Sequence, residues 1–166
     1  MKISESILME LNEEAKSSRK ILERVPAESF GWKPHEKSMP LGRLASHVAE
    51  IPGWVFHTME TDVMDFANFD YKPPVLNTTD DLLKILDDNV KKAADSLNKA
   101  KDEDFFTNWT MRNGETVYFT LPKIVVVRSF ALNHNYHHRG QLTVYLRLLN
   151  IPLPNIYGPT ADEPMM

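Results

Sequence analysis

Asn133-His134-Asn135-Tyr136-His137-His138-Arg139-Gly140-Gln141 lies within a longer stretch, Thr120 to Asn150, whose residue pattern predicts a single helix. Thr120 is placed to cap its first N–H groups, and Pro122 falls in the first turn, where a missing N–H is harmless. The helix is expected to stop near Asn150, just ahead of Pro152. At about 100° per residue, Val127, Phe130, Ala131, His134, His138, Gln141, Tyr145 and Leu148 share one stripe. That stripe is apolar at both ends and polar in the middle. Burying an unpaired imidazole or amide costs roughly 1–3 kcal/mol. The two histidines and the glutamine therefore need compensation, and a metal ion is the simplest single candidate.

Upstream, the chain alternates helical patterns with proline-rich connectors. Ser4 to about Val25 predicts a first helix, with Leu8, Leu11, Ala15 and Leu22 on its apolar face and Ser4 as cap. Pro26 to Pro40 is a connector, pinned to the core by Phe30 and Trp32, with His35 in an exposed loop. Leu41 to Phe66 predicts a second helix whose inner face carries Leu44, His47, Ile51, Trp54, Val55 and Thr58. Pro52 should kink it and release the carbonyl of Val48, which suggests an opening in the core one turn after His47. His57 falls on another face, at the surface or the rim. Asn68 to Asn77 reads as a loop. Thr79 to Lys101 predicts a third helix capped by Thr78 or Thr79, ending in a solvated cluster, Lys101-Asp102-Glu103-Asp104. Phe105 to Phe119 switches to hairpin spacing, with Asn113-Gly114 suited to a type I′ turn. Ile151 to Met166 holds four prolines and is expected to wrap over the surface. The expected fold is all-α: a four-helix bundle formed by one domain over residues 1–166, with a small β-hairpin between helices 3 and 4 and an irregular C-terminal tail.

Composition narrows the function classes. The 166 residues include no cysteine, and the formal net charge is −4. Without thiolates, a metal must be held by histidine and carboxylate oxygen. Lys and Arg are scattered and form no basic face, so no nucleic-acid partner is expected. No apolar run approaches the roughly 18 residues of a membrane span, and acidic residues come too early for a signal peptide. A cytoplasmic protein with a small-molecule substrate is the expectation.

His134 and His138, four residues apart, leave the same helix face about one turn apart. Two such imidazoles can share one ion, and His47 on the second helix can supply a third ligand. Three neutral imidazoles leave a coordination position for water or substrate, the pattern of a catalytic site. The alternative is that the His137-His138 end of this motif faces solvent or bonds backbone carbonyls at an interface. Gln141 either orients a ligand, binds substrate or is a satisfied core amide. Glu50 either accepts the second ring N–H of a metal-binding histidine or is an ordinary solvated carboxylate. His137 belongs at the rim or surface. Arg139 either reads an anionic substrate group or forms a surface salt bridge.

At these residues the chain resembles the DinB/YfiT-like family of metal-dependent enzymes. The resemblance is carried by Trp32-Lys33-Pro34-His35-Glu36-Lys37-Ser38-Met39, by Leu44-Ala45-Ser46-His47-Val48-Ala49-Glu50-Ile51-Pro52-Gly53-Trp54, by Asn133 to Gln141, and by Pro154-Asn155-Ile156-Tyr157-Gly158-Pro159-Thr160-Ala161-Asp162-Glu163. It implies a four-helix bundle, often a homodimer, with a divalent ion, usually zinc or nickel, on His47, His134 and His138. It further implies a low-molecular-weight thiol cosubstrate and S-transfer to small electrophiles. Two other functions compete: a metal-dependent hydrolase with Glu50 as base, and a non-catalytic dimeric metal-binding or stress-response protein.

Overall fold

The computed structural model describes residues 1–164. Helix α1 (Ile3–Leu22) buries Ile7, Leu11, Ile21 and Leu22; of the expected face Leu11 and Leu22 are buried, while Leu8 and Ala15 are half-buried. Ser4 is buried in its first turn and does not cap it. Asp102 performs that role, accepting the Ile3 N–H at 2.9 Å, while Glu5 accepts the Lys2 N–H at 2.9 Å. The acidic cluster after the third predicted helix is thus partly committed to a distant helix, at the end where the macrodipole favours negative charge.

The second predicted helix is two helices. α2 (Leu41–Glu50) and α3 (Gly53–Glu60) are divided at Ile51-Pro52. Proline lacks the N–H that would bond the carbonyl of Val48, and the Asn135 side chain fills the gap, donating to that carbonyl at 3.1 Å. Asn89 donates to the neighbouring carbonyl of Ala49 at 3.3 Å. Gly53 permits this close approach: a Cβ there would stand 2.4 Å from Asn89 Oδ1. α4 (Thr79–Leu97) starts as expected, with Thr78 Oγ1 accepting from the Asp81 N–H at 3.2 Å.

The all-α expectation does not hold. Three strands, β1 (Val63–Asp65), β2 (Asn108–Asn113) and β3 (Thr116–Pro122), form one sheet in the order β1-β2-β3. β2 and β3 are antiparallel, from Asn108 opposite Pro122 to Asn113 opposite Thr116. β1 joins β2 in parallel, Val63 opposite Thr110 to Asp65 opposite Arg112. The fold is therefore mixed, helices packed with a three-stranded sheet. Thr116-Val117-Tyr118-Phe119-Thr120 is β-branched and aromatic, composition that favours a pleated surface. Thr120 accordingly lies in β3, where its hydroxyl bonds that of Thr110 at 2.9 Å, and it does not cap a helix. The turn also differs. Its central residues are Gly114 and Glu115, and only Gly114 takes a left-handed backbone, φ +57°, where type I′ needs two. Asp65 holds this turn to β1, accepting the Gly114 N–H at 2.9 Å and pairing with Arg112 at 3.0 Å.

The last predicted helix starts only at Lys123 and is not uniform. α5 (Lys123–Val126) runs into a π-helical segment (Val127–Asn133) and then α6 (His134–Leu148). Ile21, Leu44, Val48, Leu82, Leu86, Leu142 and Leu146 form the main core, which Phe30 and Trp32 of the first connector cover as anticipated. A second cluster gathers Ile7, Leu97, Phe105 and Val127, and a third lies under the sheet around Trp109 and Met64. The tail packs Leu153 and Ile156 on the main core and is tied down by Glu163 to Arg24 at 2.6 Å and by Asp162 to Arg147.

Candidate metal centre

α2 and α6 pack side by side and bring three imidazoles to one point. One ring nitrogen from each of His47, His134 and His138 lies within 4.8 Å of the others. His47 Nε2 is 3.4 Å from His134 Nε2, and His134 Nε2 is 2.7 Å from His138 Nε2. Bonds of about 2.0–2.1 Å in a tetrahedral arrangement put ligand nitrogens roughly 3.3–3.4 Å apart, so the first spacing already matches.

The protonation pattern shows why the cluster suits a cation. Gln141 Oε1 stands 2.8 Å from His138 Nδ1. An amide oxygen only accepts, so that nitrogen carries the proton and Nε2 presents a lone pair. His134 turns its Nε2 toward both other histidines, and at 2.7 Å the Nε2 atoms of His134 and His138 either share a proton or, with both lone pairs presented, call for a cation. The three-histidine group could hold a divalent ion, and among the described residues it is the single such His, Asp and Glu cluster.

The surroundings keep the rings neutral, as metal ligation requires. Burial lowers all three pKa values. His47 falls to about 3, through desolvation first and then through His138, His134 and Arg43. His134 is lowered by burial against the opposing Phe130 bond, and His138 by burial against the opposing Gln141 bond.

Gln141 thus takes the orienting role, although its position is exposed and not the core amide its stripe suggested. Glu50 does not reach a ring N–H. Its carboxylate accepts from Arg43 Nη1 at 2.9 Å and from the Tyr71 hydroxyl at 2.9 and 3.1 Å. His137 is exposed, its ring edge-on to His138 at 4.9 Å. His57 is half-buried and lines the cavity described below. His35 lies in an exposed loop, its Nδ1 accepting from the Lys37 N–H at 3.1 Å.

Arg139 is no surface salt bridge. It is 3% exposed, pairs with Glu14, and sits 5.5 and 5.3 Å from the rings of Tyr136 and Tyr157. It also donates to the Glu14 carbonyl at 3.0 Å. A buried charge must be paired and hydrogen-bonded in this way. Asn135 is equally enclosed, accepting from Ser18 at 3.0 Å while donating to Val48. Both residues flank the histidines and tie α6 to α1.

A cavity of about 520 Å³ opens beside His47, bounded by Arg43, Glu50, Trp54, Met64, Phe66, Phe69 and Tyr71 among others. It is not the opening expected at Pro52: Gly53 lines it, but Pro52 and Val48 do not, and Asn135 serves the Val48 carbonyl. Phe69 and Tyr71 escape the sequence reading because an irregular loop has no periodicity, and Phe66, expected to end the second helix, instead lies just past β1. Arg43 is also absent from the sequence reading, although a signal existed: it precedes His47 by four residues and Glu50 by seven, on one helix face.

Comparison with known proteins agrees with this architecture. The model of the DinB family matches residues 1–165. The uncharacterized protein YrdA of Bacillus subtilis is 28% identical over 155 residues, spanning 90% of this chain and 85% of that protein. A DinB-like protein from Bacillus cereus superposes with a TM-score of 0.70 at 22% identity, covering 92% of this chain and 97% of its own. A DinB-like protein from Bacillus subtilis, YjoA, gives 0.71 at 18% identity, covering 91% and 97%. At these identities the two structures establish the shared fold. No helix of the described residues is long and apolar enough to cross a membrane.

Proposed function

Because the chain belongs to the DinB family and gathers three neutral imidazoles beside a cavity, we propose that it is a metal-dependent S-transferase joining a low-molecular-weight thiol to a small electrophile. The observation that carries this reading is the convergence of one ring nitrogen from each of His47, His134 and His138 within 4.8 Å of one another. His47, His134 and His138 would hold the ion, zinc or nickel by family likeness. A divalent ion so held supplies positive charge that favours the thiolate form of a thiol.

The chain's own residues do the rest. Gln141 fixes the His138 tautomer, and burial keeps each ring unprotonated. The cavity wall holds the electrophile against the opening at His47. In the reaction the S–H proton passes to water, sulfur forms a bond to the electrophilic carbon, and the leaving group departs with its electron pair. Glu50 is engaged by Arg43 and Tyr71, which disfavours the hydrolytic alternative that needs it as a base.

The test is turnover of 1-chloro-2,4-dinitrobenzene with bacillithiol, glutathione or coenzyme A. Zinc- and nickel-loaded protein is compared with chelator-treated protein and with His134→Ala. Turnover with at least one thiol, lost on chelation and in the variant, is the expected result. Metal-loaded protein inert with all three thiols overturns the proposal.

A further inference from the structure

The cavity beside His47 has a mixed lining. Trp54, Met64, Phe66 and Phe69 make part of it apolar and mostly aromatic. Phe66 and Phe69 are 40% and 39% exposed, two phenyl rings left facing water along a concave wall. Phe69 also presents an edge to His57 at 6.2 Å and lies nearly parallel, within 8°, to the ring of Tyr71. Flat walls of this kind favour flat ligands, which gain from offset stacking and edge contacts as well as from burial.

The lining is also cationic. Arg43 and Lys72 contribute to it, with Glu50 as the single carboxylate, and Arg43 lies 5.6 Å over the Tyr71 ring. Glu50 is already engaged by Arg43 and Tyr71. Tyr71 is pushed up to about 12, by burial first and then by Glu50, so it stays protonated and serves as the donor. Among the described residues Lys72 pairs with Asp70 alone, at 3.1 Å, with both side chains 80% exposed, a pair too solvated to neutralise it firmly. Arg43 spends Nη1 on Ser46 and Glu50, which leaves guanidinium N–H groups of its five for a ligand oxygen. The volume of about 520 Å³ is that of a small-molecule site.

We propose that this cavity takes a small planar aromatic ligand bearing a carboxylate or similar oxygen acceptor, its ring against Trp54, Phe66 and Phe69 and its oxygen toward Arg43. This names a substrate class for the site under the reading given above. It is nonetheless tested without the ion.

Chelator-treated full-length protein is titrated calorimetrically with 2-naphthoate, 4-nitrobenzoate and indole-3-carboxylate, and with cyclohexanecarboxylate as the non-planar control. At least one aromatic carboxylate binds one per chain, about tenfold or more tighter than the control. Phe69→Ala weakens it by about tenfold, and Phe106→Ala, an exposed ring outside the cavity, leaves it unchanged. Circular dichroism and thermal midpoints confirm that both variants are folded. No binding by any of the three below millimolar concentration overturns the proposal. So does equal binding of cyclohexanecarboxylate, or unchanged affinity in folded Phe69→Ala. Zinc binding with no aromatic binding refutes this inference alone. Aromatic binding by a protein that takes up no metal refutes the transferase reading alone.

Discussion

Replacing Asn135 by Leu tests how the broken helix is held beside the histidines. Asn135 is 5% exposed. Its amide nitrogen serves the Val48 carbonyl that Pro52 cannot serve, and its oxygen accepts from Ser18. Leucine keeps the volume and removes both bonds. The Val48 carbonyl is then buried without a donor, a loss of about 1–3 kcal/mol. The Ser18 hydroxyl keeps Arg139 as a donor, at 3.3 Å, but loses its acceptor, adding about 1 kcal/mol. The sum, about 2–4 kcal/mol, corresponds for a chain of this size to a midpoint lower by roughly 4–16 °C. The mechanism makes a sharper claim about the double variant. Ile51 and Pro52 both have helical backbone, φ −54° in each. An alanine at 52 therefore aims its N–H at Val48. Pro52→Ala should recover about 1 kcal/mol or more of the Asn135→Leu loss. Urea denaturation of the four proteins, all metal-free, measures the coupling. Strict additivity, or a single-variant loss below about 0.5 kcal/mol, would refute the account of the Val48 carbonyl.

Four other outcomes follow from the same geometry. Gln141→Leu, by freeing the His138 tautomer, should weaken zinc binding about 10- to 100-fold while leaving the far-ultraviolet spectrum intact, read by competition with a chromophoric chelator. Glu14→Gln leaves the Arg139 charge buried without its partner and should lower stability by about 3–5 kcal/mol in urea denaturation. Gly53→Ala pushes a methyl group to 2.4 Å from Asn89 Oδ1 and should cost about 1–3 kcal/mol by parting α3 from α4, measured the same way. Metal-free protein should lose stability on acidification. His47 is lowered from 6.5 to about 3, so between those values the unfolded chain binds a proton that the folded chain refuses. Stability is complete above pH 6.5 and falls as pH drops toward 3, with His134 and His138 acting in the same direction. A flat denaturation midpoint across that range would contradict it.

The histidines were readable because their signal is local. Two residues four apart on a helix share a face whatever the rest of the chain does, and a lone polar residue on an apolar stripe, His47, has few places to go. The Val48 carbonyl was readable for a similar reason, since proline removes one identifiable donor. What escaped was non-local or irregular. β1 is three residues long and owes its existence to pairing with β2, across the whole of α4. Thr120 and Pro122 suit a helix start and a strand end equally well, and the partner strand decided between them. Arg139 looked like any surface arginine, because its enclosure depends on Glu14, from the first helix, and Tyr157, from the tail. The cavity wall rests on a connector whose placement no spacing rule encodes.

The π-helical segment from Val127 to Asn133 has a consequence for reading relatives. A π turn holds more residues than an α turn, so this rod carries extra chain near its start, one turn in, while α6 downstream stays seated on α2. Gaps in an alignment are customarily confined to loops. Here such a convention would slip every position from β3 through Phe130 out of phase with a relative whose rod is uniformly α, while His134 and His138 still lined up. Length differences within this family should therefore be sought inside the helix, one turn ahead of the histidines.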